Sequence, residues 1–137
     1  MKLFLDTNVV VDFVVCREPF AASAIQIFQL AENNDHQLYI SDLSFVNVAY
    51  VIRKGLSNDL LYKTLGKLRS YLHVANVGSQ AIDAALQLKS KDFEDAVQYY
   101  SAKQIAADCI ITRNKKDFSF SDIPVWTPEE FLLYLQD

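Results

Sequence analysis

Lys2-Leu3-Phe4-Leu5-Asp6-Thr7-Asn8 is the stretch that decides the fold. Three apolar residues in a row are short, uninterrupted and stopped abruptly by a carboxylate. A strand buried on both faces of a parallel sheet reads this way. Thr7 and Asn8 suit the start of a helix, and the residues that follow, Val9-Val10-Val11 and Val14-Val15, are apolar at close spacing. Their β-branched side chains are mediocre helix formers, so this helix depends on being packed. A carboxylate between such a strand and such a helix sits where open parallel sheets bind ligands, beyond the carboxyl ends of the strands. The same position suits a helix-capping aspartate, and Asp6 alone does not choose between the two.

Outward from this start the pattern repeats. Arg17-Glu18-Pro19 reads as a turn, and Ala24, Ile25, Phe28, Leu30 and Ala31 recur at helical spacing between residues 21 and 33. Leu38-Tyr39-Ile40 is a second strand, followed by a helix over 43–54 that Gly55 stops. Asn58 is expected to cap the next helix, to about Tyr71. A third strand is expected over 73–77, and Ser79 is expected to cap the helix through Leu88. A helix over 93–104 precedes Cys109-Ile110-Ile111, the fourth strand. Ile123-Pro124-Val125-Trp126 gives a fifth, at an edge because of its proline. Thr127-Pro128-Glu129-Glu130 has the form of a capping box for a last helix. Short strands alternating with helices predict an α/β protein, a three-layer sandwich in which helices flank a central parallel sheet of five strands.

Composition bounds the function. A chain of 137 residues with 51% hydrophobic residues fits one domain, residues 1–137, able to bury a core without disulfides. With only 3 Gly and 3 Pro, long loops and linkers are not expected. Cys16 and Cys109 are read as two lone thiols of a reduced, cytoplasmic protein. No signal peptide is visible, and the uncharged stretch 43–52 is too short to span a membrane. A net charge of −4 argues against a generally basic nucleic-acid binder. It leaves open an enzyme that holds cations on carboxylates.

Two further segments carry chemistry. Asp92-Phe93-Glu94-Asp95 opens the 93–104 helix, where acids also suit the macrodipole. Asp95 precedes Ala96-Val97 and so stands where that helix meets the core. Thr112-Arg113-Asn114-Lys115-Lys116-Asp117-Phe118 follows the fourth strand and gathers a hydroxyl, an amide, a carboxylate and three cations, a pattern that a solvated loop also fits. Asp6, Asp95 and Asp117 thus come from distant segments to one edge of the expected sheet. Clustered carboxylates resist ionisation together, and a divalent cation relieves that cost.

Taken together, Leu5-Asp6-Thr7-Asn8, Asp95-Ala96 and Ile110 through Phe118 resemble the PIN domain, a family of small metal-dependent ribonucleases that includes VapC-type toxins of toxin–antitoxin pairs. The resemblance runs along essentially the whole chain in the right order. It implies an endoribonuclease in which Asp6, Asp95 and Asp117 hold Mg²⁺ or Mn²⁺, supported by Thr112, Asn114 and Asn8. It further implies a homodimer and, for a toxin, a small antitoxin protein as partner. Asn47 stands where the family's second acid, usually glutamate, is expected; its amide oxygen brings no charge, which favours weaker metal binding or a single metal. Asp42, Asp92 and Glu94 are the acids able to compensate. Of the basic residues, Arg113 and Lys115 have the best claim to RNA, ahead of Arg53, Lys54, Lys89, Lys91 and Lys116, because they flank the expected site. Tyr99 and Tyr100 suit core packing better than base stacking, and His36 and His73 are read as structural. Two other functions compete: a non-catalytic module of the same fold, favoured by Asn47, and a phosphatase with an aspartate after its first strand, disfavoured because Asn8 stands where a second aspartate would be needed.

Overall fold

A computed structural model describes residues 1–137. Five parallel strands form one sheet in the order β3-β2-β1-β4-β5. They are β1 (Lys2–Leu5), β2 (Gln37–Ser41), β3 (Leu72–Ala75), β4 (Cys109–Ile111) and β5 (Val125–Trp126). The helices are α1 (Thr7–Val15), α2 (Ala21–Gln29), α3 (Asp42–Ile52), α4 (Asn58–Tyr71), α5 (Gly78–Leu88), α6 (Phe93–Gln104) and α7 (Pro128–Gln136). Short 3-10 turns cover Leu30–Glu32 and Lys115–Phe118.

β1 is the middle strand, with Phe4 in register with Tyr39 on one side and Ile110 on the other. Its side chains alternate between two cores, as the period of a strand dictates. Leu3 and Leu5 join Leu38, Ile40, Cys109 and Ile111 beneath residues of α1, α2, α3, α4 and α7. Phe4 and Ile110 face the other way, against Tyr99 and Ala102 of α6 and Phe118. α5 packs on α6 through Ala81, Ala85, Ala96 and Val97, small side chains that let the two helices approach closely. The sandwich expected from the sequence is therefore the fold. α1 forms despite its valines because Val9, Val10 and Val11 are buried; full burial of such a side chain is worth roughly 1.5–3 kcal/mol, well above its propensity cost.

Local boundaries shift for identifiable reasons. Ser57, not Asn58, caps α4, its hydroxyl accepting from the Leu60 N–H at 3.2 Å. α5 starts at Gly78 with no side-chain cap, so Ser79 lies inside its first turn. β3 is Leu72–Ala75 instead of 73–77, because pairing with β2 ends at Ser41–Ala75. α2 stops at Gln29 and tightens into the 3-10 turn. At the far end Thr127, Pro128 and Glu130 do form the capping box, and β5 is an edge strand, paired only with β4. No helix is long and apolar enough to cross a membrane.

Candidate active site

Chain direction splits at β1: later strands are laid on one side as β2 and β3 and on the other as β4 and β5. A crevice opens at the carboxyl end of the strand where such a split occurs. Asp6 occupies it. The Asp6 N–H donates to Ile111 O at 2.9 Å, so the residue is the last link of the β1–β4 ladder as well as the N-cap of α1. Its Oδ1 accepts from the Thr7 N–H at 2.8 Å. Its Oδ2 accepts from the Thr112 hydroxyl at 2.8 Å and from the Asn8 amide at 3.4 Å. Thr112 is fully buried, and its Oγ1 in turn accepts from the Asn114 N–H at 3.1 Å. Asn8 Oδ1 accepts from the Arg113 N–H at 3.5 Å. Asn8, Thr112 and Asn114 thus tie the loop after β4 to the Asp6 carboxylate.

The other acids reach the same cleft from two further elements. Asp92 caps α6, its Oδ1 accepting from the Asp95 N–H at 3.1 Å, and this places Asp95 in the first turn of the helix. Asp117 stands in the 3-10 turn that buried Phe118 pins to the sheet. Asp6, Asp92, Glu94, Asp95, Asn114 and Asp117 line one cleft together with Arg17. The three acids singled out in the sequence are therefore brought together.

Electrostatics follow from this crowding. Burial pushes Asp95 up, and Asp92, Asp6, Asp117 and Glu94 push it further, to about 7. Asp6 is also raised, chiefly by burial, although the bonds from Thr112 and Thr7 favour its charged form. Glu94 is raised by burial and then by Asp6 and Asp92. The donors are all oxygens, with no histidine or cysteine in the cleft lining, which suits a hard cation such as Mg²⁺ or Mn²⁺. No three acidic, histidine or cysteine side chains are gathered closely enough to hold an ion by themselves.

Beneath the acids lies a largely buried polar trio that sequence reading missed. Ser44 Oγ accepts from the Thr7 hydroxyl at 2.7 Å and from the Gln98 amide at 2.6 Å, joining α1, α3 and α6. Ser44 and Gln98 are both fully buried. The available signal was weak: Ser41 and Ser44 sit three apart at a helix start, and Gln98 lies three residues after Asp95 on the same helix face. Ser41 Oγ accepts from the Ser44 N–H at 2.9 Å and caps α3.

Asn47 is half-buried on α3 and is not among the residues that line the cleft; Val51, one turn later, is. Asp42 is likewise outside it, its Oδ1 accepting from the Val77 N–H at 3.2 Å. The two cations chosen as RNA contacts are engaged elsewhere. Arg113 Nε lies 2.7 Å from Asp12 Oδ2, an ion pair whose N–H is poorly directed for a hydrogen bond, and its guanidinium lies over the Phe20 ring at 4.1 Å. Lys115 Nζ is 3.1 Å from Glu130 Oε2. Tyr99 is buried and donates to Asp122 Oδ1 at 2.7 Å, a structural role. His73 stacks on Tyr39, and His36 meets Phe131 edge-on.

Comparison with known proteins fits this architecture. Residues 2–116 match the model of the PIN domain, a span that includes Asp6, Asn47 and Asp95 and stops one residue short of Asp117. Ribonuclease VapC1 of Aquifex aeolicus is 29% identical over 135 residues, covering 95% of this chain and 92% of that protein. A toxin–antitoxin complex from Klebsiella pneumoniae contains a chain 26% identical, with TM-score 0.65, over 92% of this chain and 97% of the other. VapBC2 from Rickettsia felis, bound to a DNA fragment from its promoter, contains a chain of the same fold: TM-score 0.70 at 17% identity, over 92% of this chain and 97% of that one. With sheet order, the placement of Asp6 and the family match in agreement, the chain belongs to the PIN domain family.

Proposed function

We propose that this protein is a metal-dependent endoribonuclease, working as the toxin of a toxin–antitoxin pair. The observation that carries the reading is the pairing of an anchored acid with crowded ones. Asp6 is held by two hydroxyl- or amide-bearing neighbours and a backbone N–H, while Asp95 across the cleft is pushed to about 7 by burial and by the carboxylates around it. The likeness to Ribonuclease VapC1 and to a chain of a toxin–antitoxin complex supports the activity and the kind of partner. A homodimer, implied by family resemblance, belongs to the same reading.

Asp6, Asp95 and Asp117 would hold the cation, with Asp92 and Glu94 adding charge in place of the missing acid at Asn47. When bound, Mg²⁺ or Mn²⁺ supplies positive charge that offsets the acids and stabilises the charge building on the phosphodiester. The chain supplies orientation. Thr112 and Asn8 fix the Asp6 carboxylate, and the Thr7–Ser44–Gln98 trio keeps the starts of α1 and α3 at a set distance from α6. Asn47 favours a second reading, a PIN-like module that binds RNA or protein without cutting it.

Incubation of single-stranded RNA with the protein, with Mn²⁺ or Mg²⁺ and with EDTA, separates the two. Cleavage that needs the cation and falls roughly 10²–10³-fold in Asp6→Asn and Asp95→Asn is the expected result, the scale on which a group stabilising transition-state charge is lost. No cleavage, or cleavage surviving both substitutions, sinks the nuclease.

A further inference from the structure

A second groove opens beside the acidic cleft and shares Asp92, Asp95 and Asp117 with it. Its volume is about 480 Å³, within the range of pockets that enclose small molecules. Lys91 and Lys116 stand on it with Ser90 and Ser119, and Leu88 and Phe120 give it an apolar part. The two lysines come from separate segments, and each directly precedes an acid of the site, Asp92 and Asp117.

Nine of the thirteen cations make no ion pair, and what sets these two lysines apart is that they line the groove beside the acids. All four ion pairs of the protein are made by other cations: Arg17 and Arg113 on Asp12, Lys103 on Asp122 and Lys115 on Glu130. A chain of net charge −4 attracts a polyanion only through local positive features, and the acidic cleft itself repels phosphate. Two unpaired ammonium groups at the edge of that cleft, with hydroxyls and an apolar wall between, form such a feature. Lysine serves phosphate as a point charge, and an aromatic or aliphatic wall accepts a base or ribose without selecting sequence.

We infer that this groove is the path of the RNA strand next to the scissile bond, with Lys91 and Lys116 binding the flanking phosphates and Leu88 and Phe120 receiving the adjoining nucleoside. The inference rests on the ribonuclease reading for its substrate and reassigns the contacts from Arg113 and Lys115 to the two unpaired lysines that line the groove.

Fluorescence anisotropy of a labelled single-stranded RNA, titrated with the full-length protein in EDTA at several salt concentrations, tests it without cleavage. Lys91→Ala/Lys116→Ala is expected to weaken binding roughly tenfold at low salt and to flatten the dependence of log Kd on log salt by about 1.4, or about 0.7 for each phosphate contact on a single strand. Lys91→Arg/Lys116→Arg is expected to keep both, and Lys115→Ala to change neither by more than about twofold. Under Mn²⁺ the double alanine variant raises KM and leaves kcat nearly unchanged. Wild-type affinity in the double alanine variant, an equal loss in Lys115→Ala, or no RNA binding by the wild type overturns the assignment. Lysine-dependent binding without cleavage would instead remove the nuclease reading and leave the groove standing; cleavage with an unaltered KM in the double variant would do the reverse.

Discussion

Asp12 and Asp95 are both carboxylates on helices beside the same loop, both are partly or wholly withdrawn from water, and their surroundings are opposite. Asp12 is 1% exposed, and Arg113 and Arg17 stand against it at 2.7 and 3.8 Å. Burial raises its protonation range and the two arginines pull it back. Asp95 is raised by burial too, yet every other influence on it is a further negative charge. One acid is completed by the chain. The other is left incomplete, and an incomplete charge at a sheet crevice is what a bound cation or a reaction uses.

The comparison breaks if both acids respond alike to removal. Asp12→Ala leaves Arg113, with a side chain only 23% exposed, without its partner, and unfolding by denaturant should show a loss of about 2–4 kcal/mol, somewhat less than for a fully buried pair. Asp95→Asn should act in the other direction and raise the melting temperature of the metal-free protein by a few °C, about what 1 kcal/mol is worth in a chain of this size. A loss of stability in Asp95→Asn would mean that its charge is compensated after all.

pH sharpens the same contrast. A carboxyl whose folded-state pKa is raised favours folding while protonated, so its stabilising effect is complete below the ordinary value of 3.8 and fades as pH rises through the folded value. Asp6, Asp12 and Glu94 share that direction, but Asp95 extends it to about 7. The metal-free protein should therefore lose stability between about pH 4 and pH 7, and the upper part of that loss should vanish in Asp95→Asn and on adding Mg²⁺. A melting temperature flat across that window would refute the crowding. The smallest effect belongs to Asn47. Placed off the cleft lining, Asn47→Ala should lower the RNA cleavage rate by less than about tenfold, below the usual cost of losing a residue that supports a metal.

What the sequence disclosed follows the range of the interactions involved. The strand Leu3-Phe4-Leu5 and the carboxylate that stops it are local, and Asp6 could be placed from them alone. The α7 capping box is likewise written within four residues. Arg113 and Lys115 looked free because their partners are distant: Asp12 lies 101 residues away and Glu130 belongs to another helix. Thr7, Ser44 and Gln98 are ordinary polar residues until three helices bring them together in a largely buried trio. Asp12, an acid among the valines of α1, went unremarked in the sequence, and it is the buried partner of Arg113.

The bond from Thr112 to Asp6 spans 106 residues, and β4 must pair with β1 before it can form. A ribosome making this chain delivers the first acid more than a hundred residues before its hydroxyl partner. Until then β1 has β2 at one edge and nothing of β4 at the other, and Asp95 and Asp117 have no fixed place beside it. A growing chain is thus held without this centre until β4 joins β1, by topology alone. For a protein proposed to cut RNA, assembly from segments so far apart delays any such chemistry until β4 and the loop after it have been made.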